Sequence, residues 1–111
     1  MSQFLFIYRG GMPANTSPAE MQQQMQRWMT WLKELGDKGF VKDPGQPLER
    51  AGKVVAGKHK TVTDGPFAEK DLVSGYTMIE AKDLSQATEL SLGCPIFMYD
   101  GSVEVRPIAK M

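Results

Sequence analysis

The chain of 111 residues has very few of the residues that build disulfides and metal centres: one cysteine, Cys94, and one histidine, His59. A single cysteine cannot form an intramolecular disulfide, so we expect a reducing compartment and a cytoplasmic protein. One histidine and one cysteine without paired spacing also give no zinc motif. We therefore expect neither a metal nor a cofactor.

An excess of charge and a long hydrophobic run are missing as well. Lysine and arginine number 13, and aspartate and glutamate also number 13. The sequence thus has no basic excess of the kind that nucleic-acid-binding domains carry, and we expect no direct contact with nucleic acid. The apolar run near the start, within Gln3–Arg9, is too short to span a membrane, so we expect no membrane contact. The length predicts one domain, residues 1–111, with a single core.

The strand predicted over Gln3–Arg9 is apolar on both faces. Phe4, Phe6 and Tyr8 alternate onto one face, and Leu5 and Ile7 alternate onto the other. Such a strand belongs in the middle of a sheet that is covered on both sides. Further strands are predicted within 48–55, within 59–63, over the segment LVSGYTMIEA and over SVEVRPIA.

Two helices separate these strands. The first begins with a capping box and a proline, Ser17-Pro18-Ala19-Glu20, and ends at Gly36 or Gly39. Apolar residues recur along it at helical spacing and are expected to make core or dimer contacts; Trp31 lies at the edge of this stripe, which consists of Met21, Met25, Trp28, Met29, Leu32 and Leu35. Asp83 caps the second helix, which runs to about Leu92. The order strand, helix, strands, helix, strand predicts an α+β fold of the ferredoxin-like split βαβ plan, with two helices on one face of an antiparallel sheet. A second copy of the chain is then the simplest cover for the other face.

The segment Asp64–Glu69 reads Asp-Gly-Pro-Phe-Ala-Glu. Pro66 fixes its own φ and restricts Gly65, which predicts a stiff loop. A stiff loop would fix the directions of Asp64 and Glu69, as a binding or proton-transfer site requires. The alternative is that Asp64 only caps the turn and Glu69 is solvated.

Other candidate residues lie near this loop in sequence or at the ends of strands. His59 can exchange protons near neutral pH, and a carboxylate such as Asp64 could orient it; the alternative is an exposed hairpin histidine. Tyr8 and Arg9 precede two glycines that could admit an anionic group, or that simply end the strand. The remaining candidates share the sheet: Tyr76, which either packs or binds substrate, and Glu104 and Arg106, which form an ion pair or clamp a carboxylate.

Four segments carry a family resemblance: TDGPFAE, the following Lys-Asp, the Gly-Tyr pair and the closing SVEVRPI. Together they resemble the YCII-related family, in the branch named for its Asp-Gly-Pro-Phe motif. The resemblance extends from FLFIYRG to EVRPI. It implies a dimeric ferredoxin-like α+β barrel and a bacterial protein whose relatives are sometimes encoded beside or fused to sigma factors. It also implies, for some relatives, an enzyme that uses a His-Asp pair.

Two functions follow as expectations. The first is a cofactor-independent enzyme of lyase or isomerase type that acts on a small molecule at a dimer cleft. Asp64 and His59 would be catalytic, and Tyr8, Arg9, Glu69, Tyr76, Glu104 and Arg106 would contact the substrate. The second is a non-catalytic dimeric module that binds a metabolite or a regulatory partner such as a sigma factor.

Overall fold

The computed structural model describes residues 1–64 and 71–111. The main sheet is antiparallel and consists of β1 (Ser2–Arg9), β2 (Val41–Asp43), β5 (Val73–Ala81) and β6 (Ser102–Pro107). Its strands lie side by side in the order β2-β5-β1-β6. Helix α1 (Pro18–Asp37) follows β1, and helix α2 (Leu84–Ser91) and a 3₁₀ helix (Pro95–Tyr99) follow β5. This is the predicted α+β arrangement of two helices packed on an antiparallel sheet, and the prediction is confirmed.

The prediction that β1 is central and apolar on both faces is confirmed. It pairs with β5 on one side and β6 on the other, and Phe6 lies opposite both Thr77 and Val105. Phe4, Phe6 and Tyr8 are buried against the helices, whereas Leu5 and Ile7 are half-buried. Successive residues of a strand point to opposite faces, so Leu5 and Ile7 lie with Tyr76 and Met78 on the sheet face away from the helices. We call the face made by these four residues the open face.

The start and end of α1 agree with the sequence. The Ser17 side chain accepts a hydrogen bond from the Glu20 amide at 3.2 Å. Gly39, at φ +83°, follows the helix, and its amide donates to the Gly36 carbonyl at 2.9 Å. A glycine here adopts the left-handed conformation that ends many helices.

Only one side of the apolar stripe of α1 is buried within the chain. Trp31 and Leu35 are buried, but Met21, Met25 and Met29 are 47%, 63% and 63% exposed. The stripe predicted from six apolar residues is broad, and the sheet covers only the edge that carries the tryptophans and Leu35. Trp31 stacks on Phe6 with ring centroids 6.1 Å apart. Tertiary packing therefore selected the aromatic edge of the stripe and left the methionines in solvent.

The strands predicted between 48 and 63 are also shorter than expected. β3 (Val54–Ala56) and β4 (Thr61–Thr63) pair only with each other, in a two-stranded sheet whose residues are all exposed. The strand that completes the main sheet is instead Val41–Asp43, whose three residues are too few to show a strand pattern in the sequence. The main sheet thus ends in a short edge strand followed directly by a loop, and that loop forms part of the wall of a cavity.

Candidate functional site

A cavity of about 400 Å³ lies between α1 and the sheet, at the end of the sheet where β1 stops and β5 begins. The sheet contributes Tyr8, Gly75 and Thr77 to its wall, and α1 contributes Trp28 and Leu32. The remaining walls come from the loops that follow β1 and β2 and from the 3₁₀ helix. Its size falls within the range of about 300–1,000 Å³ that is usual for small-molecule pockets.

Local backbone irregularity makes room for the cavity. The pairing of β1 with β5 shifts register between Tyr8 and Arg9, so that Tyr8 lies opposite Gly75 and Arg9 lies opposite Val73. Bulges of this kind are frequent beside functional sites because they turn the strand and end its regular pairing. Gly75 has no side chain, and a Cβ there would come within 3.0 Å of the Gln46 carbonyl. The cavity wall at this point is therefore backbone.

The loop 44–48 closes one side of the cavity and is held against β5. The Leu48 amide donates to the Ser74 carbonyl at 2.8 Å, and Pro47 bridges to Gly75. Gly45 has φ +75°, and a Cβ on it would lie only 1.8 Å from the Tyr76 carbonyl oxygen. Only a residue without a side chain fits so close to the strand.

A chain of hydrogen bonds runs along the cavity wall. The Tyr8 hydroxyl donates to Thr77 Oγ1 at 2.7 Å, and the Thr77 hydroxyl donates to the Pro44 carbonyl at 2.9 Å. Burial raises the pKa of Tyr8 well above its ordinary value, although the hydrogen bond with Thr77 opposes that rise. The Tyr8 phenol is therefore protonated at neutral pH and serves as a hydrogen-bonding group rather than as a base.

An aromatic side chain, Trp28, and an amide side chain, Gln24, line the helix side of the cavity. Trp28 meets Tyr8 edge to face, with ring centroids 4.7 Å apart and planes at 80°. Gln24 is 2% exposed; its Nε2 donates to the Pro95 carbonyl at 2.8 Å, and its Oε1 accepts from Arg27 at 3.0 Å. These two bonds give partners to both ends of a buried amide, and the bond to Pro95 links α1 to the 3₁₀ helix.

Arg50 is the single charged side chain among the described residues that line the cavity. Its Nη2 donates to the Met12 carbonyl at 2.7 Å, which joins the loop after β2 to the loop after β1. No carboxylate and no histidine of the described residues lies in the wall. The cavity is therefore suited to a mostly apolar molecule that carries a few hydrogen-bonding groups.

Of the residues that the sequence nominated, Tyr8 and Tyr76 border this cavity. Arg9, Glu104 and Arg106 lie together on the same side of the sheet as the open face. Arg9 Nη2 is 3.2 Å from Glu104 Oε1, and Arg106 Nη1 is 3.0 Å from Glu104 Oε2. The ion-pair alternative for Glu104 and Arg106 is thus observed, and it includes Arg9. Arg9 Nη1 is buried without a hydrogen-bond partner among the described residues.

Asp64 and His59 belong to the hairpin rather than to the cavity wall. Asp64 is 82% exposed at its side chain and forms an ion pair with Lys53. His59 lies in the turn between β3 and β4 and is exposed. Glu69 falls within 65–70, outside the described residues. The catalytic roles of Asp64 and His59 and the binding role of Glu69 stay predictions.

Sequence reasoning missed Thr77 and Pro44, and it assigned Trp28 to the core. One signal was available for Thr77, which is a polar residue in an alternating series whose other members, Gly75, Ile79 and Ala81, are small or apolar. A buried hydroxyl in such a series needs a partner. Its partners are 69 and 33 residues away in sequence, however, and only the fold brings them together.

Across residues 1–64 and 71–111, no group of three or more histidine, cysteine or acidic residues is arranged to hold a metal ion. The described helices include none that is both long and apolar enough to cross a membrane.

Comparison with protein families decides the family of this chain. The model of the YCII-related domain matches residues 4–111, essentially the whole length. The chain belongs to the YCII-related domain family. The family prediction from the sequence is thus confirmed. No curated protein sequence matches this YCII-related chain significantly.

A solved structure supports the fold of this YCII-related protein. The present chain is similar in structure to 5-chloro-2-hydroxyhydroquinone dehydrochlorinase from Burkholderia phenoliruptrix AC1100, whose structure was determined in complex with 2,5-dihydroxybenzoquinone. The two share 17% identity with a TM-score of 0.51, over 97% of this chain and 95% of the other. At that identity the likeness concerns the fold.

Proposed function

We propose that this YCII-related protein binds a small organic molecule in the cavity between α1 and the sheet and converts it without a cofactor, as a lyase or isomerase. The cavity of about 400 Å³ carries the proposal. Its wall is largely apolar, but it contains the ordered hydrogen-bond chain of Tyr8, Thr77 and Pro44. An apolar pocket with a few fixed polar groups is the usual form of a small-molecule site.

The similar structure supports this proposal through its own ligand. That protein is a dehydrochlorinase, and its complex holds a small dihydroxylated quinone. The same fold can therefore serve an enzyme with a small oxygenated ring compound. The cavity of the present chain, with Trp28 against Tyr8 on its wall, is consistent with a compound of that kind.

Proton transfer in this proposal is assigned to Asp64 and His59, because the phenol of Tyr8 remains protonated. Asp64 is paired with Lys53 on the surface. An exposed pair contributes only about 0–1 kcal/mol, so a rearrangement that brings Asp64 to a substrate would lose little by breaking it. Tyr8 is proposed to contact the substrate in this cavity. Tyr76, Arg9, Glu104 and Arg106 lie on the open-face side of the sheet, so their proposed contacts, like that of Glu69, are with a molecule bound at the dimer cleft.

A homodimer through the open face is part of the proposal. Leu5, Ile7, Tyr76 and Met78 form an apolar strip there, and the ion pairs of Glu104 lie beside it. A half-buried apolar strip with charges at its border has the composition of an interface.

In sedimentation, Ile7→Glu should convert the dimer to a monomer. Leu92→Glu is the control, because Leu92 is 68% exposed and follows α2 on the other face. A wild-type chain that sediments only as a monomer at micromolar concentration contradicts the homodimer.

One observation favours the alternative of a non-catalytic binding module. Among the described lining residues, none is a carboxylate or a histidine that could serve as a general base. As a non-catalytic module, the dimer would bind a metabolite or a regulatory partner such as a sigma factor and release it unchanged. A cytoplasmic location is proposed for both functions, on the ground of the lone buried thiol of Cys94.

The test compares two methionines of α1. Met25 and Met29 are both 63% exposed, but only Met25 borders the cavity. Small aromatic and alicyclic compounds are screened by thermal shift, and each compound that binds is then incubated with the protein and followed by NMR for conversion. Met25→Trp should weaken binding because the larger side chain narrows the cavity, whereas Met29→Trp should not.

Equal effects of the two substitutions would contradict the assignment of the cavity. Conversion of a bound compound without added cofactor supports the enzyme, and Asp64→Asn should then abolish conversion while the protein still binds. Binding without conversion of any compound supports the non-catalytic module.

A further inference from the structure

Each hydrogen bond on the cavity wall has a fixed donor and acceptor, because the last acceptor is the Pro44 carbonyl. A backbone carbonyl accepts hydrogen bonds and cannot donate them. The Thr77 hydroxyl has one proton, and it lies 2.9 Å from the Pro44 oxygen. That proton is therefore committed to Pro44.

The commitment of Thr77 determines what Tyr8 can do. Thr77 Oγ1 and the Tyr8 hydroxyl are 2.7 Å apart, and Thr77 has no second proton to give. Tyr8 must be the donor, so its single proton is also used. What the Tyr8 oxygen still offers is an acceptor lone pair, and Tyr8 borders the cavity.

We propose that the cavity selects ligands that donate a hydrogen bond to the Tyr8 oxygen, so that its substrates are small, mostly apolar alcohols and phenols rather than ketones, ethers or nitriles. This inference rests on the proposed function of the cavity and adds the class of substrate. A ligand that places an acceptor against Tyr8 sets two lone pairs against each other, which is unfavourable in a buried site.

Burial keeps this polarity constant. The raised pKa of Tyr8 means that the phenol does not ionise near neutral pH, so the proton stays between Tyr8 and Thr77. Other polar groups of the wall, such as the exposed amide of Gln46, can meet acceptor atoms elsewhere on the ligand. The selection therefore concerns the ligand atom that contacts Tyr8.

The experiment measures dissociation constants by NMR titration of the whole protein with three single-ring probes. Phenol carries a donor, fluorobenzene has nearly the same size without a donor, and benzonitrile carries only an acceptor. Phenol should bind the wild type roughly five- to tenfold more tightly than either of the others, as expected for one additional buried hydrogen bond.

Three variants locate the effect. Tyr8→Phe should remove the advantage of phenol. Thr77→Val should reduce it and improve binding of benzonitrile, because Tyr8 then has its proton available for a ligand. Tyr99→Phe is the control, since it removes a tyrosine hydroxyl that bonds to Glu20 away from the cavity, and it should leave the selectivity unchanged.

A merely structural role of the hydrogen-bond chain would weaken all three probes together and would not move their ratio. If fluorobenzene binds the wild type as tightly as phenol, or if the preference survives in Tyr8→Phe, the inference is overturned while the cavity remains a binding site. If none of the probes binds, the proposed function of the cavity fails, and the inference fails with it. Thr77→Ser, which keeps the hydroxyl, should preserve the preference even where Thr77→Val is poorly folded.

Discussion

Gly45 lies directly against the backbone of β5, and its replacement by alanine tests how the cavity wall is built. The residue has φ +75°, and a Cβ would lie 1.8 Å from the Tyr76 carbonyl oxygen and 2.9 Å from Tyr76 Cδ2. Neither the strand nor the loop can accept such an overlap. Loop 44–48 must therefore move away from β5, and the Pro44 carbonyl that binds Thr77 moves with it.

A second glycine provides the matched control. Gly57, in the turn of the β3–β4 hairpin, has φ +79°, but a Cβ there would meet nothing within 4 Å. Gly57→Ala incurs only the backbone cost of a left-handed conformation, about 1–2 kcal/mol. Gly45→Ala incurs the same cost and an overpacking cost of about 1–3 kcal/mol, which gives roughly 2–5 kcal/mol in total.

The assay is urea unfolding of both variants and the wild type, followed by tryptophan fluorescence. Gly45→Ala should lower the free energy of unfolding by at least about 1 kcal/mol more than Gly57→Ala, since only Gly45 faces a steric barrier. It should also weaken the binding of cavity ligands, whereas Gly57→Ala should not. Equal losses of stability with unchanged ligand binding would refute the close packing of loop 44–48 on β5.

Two further predictions concern titrating groups. Burial raises the pKa of the Cys94 thiol from 9.0 to about 12, so between these pH values the folded state holds a proton that the unfolded state releases. Stability should therefore fall as the pH rises from about 9 to 12. In urea unfolding, Cys94→Ala should reduce the slope of the unfolding free energy against pH over that interval. A pH dependence identical in wild type and variant would count against a buried thiol. The hydrogen bond from Tyr99, assisted by Arg27, lowers the pKa of Glu20. Tyr99→Phe should therefore raise the pKa of Glu20 in a carboxyl-detected NMR titration. An unchanged titration would show that the bond does not form in solution.

The sequence predicted most of the fold because its strongest signals are local. The alternation of apolar residues in β1 depends only on neighbours in the chain, and so do the Ser17 cap and Gly39 at the two ends of α1. The buried edge of α1 could not be predicted in the same way. Six apolar residues at helical spacing cover a broad face, and contact with Phe6 and Tyr8 decides that the tryptophans rather than the methionines pack inward.

The candidate site was less predictable because its contacts are distant in sequence. Tyr8 was nominated from its position at the end of β1, and it does border the cavity. Its relation to Thr77 and Pro44 depends on the pairing of β1 with β5 and on the loop that follows the three-residue strand β2. The segment Asp43–Pro47, with its two prolines and a glycine, does predict a loop. Its position does not follow from that pattern, because it depends on the packing of Gly45 against β5.

Chemical-shift mapping shows whether small molecules bind between α1 and the sheet. Backbone and indole resonances are assigned, and phenol is titrated into the full chain. Binding in the cavity should produce the largest shifts at Trp28, Gly75 and Thr77, with little change at Leu5 and Ile7 on the open face. Shifts concentrated at the open face, or no saturable shift at Trp28 and Thr77, would contradict it.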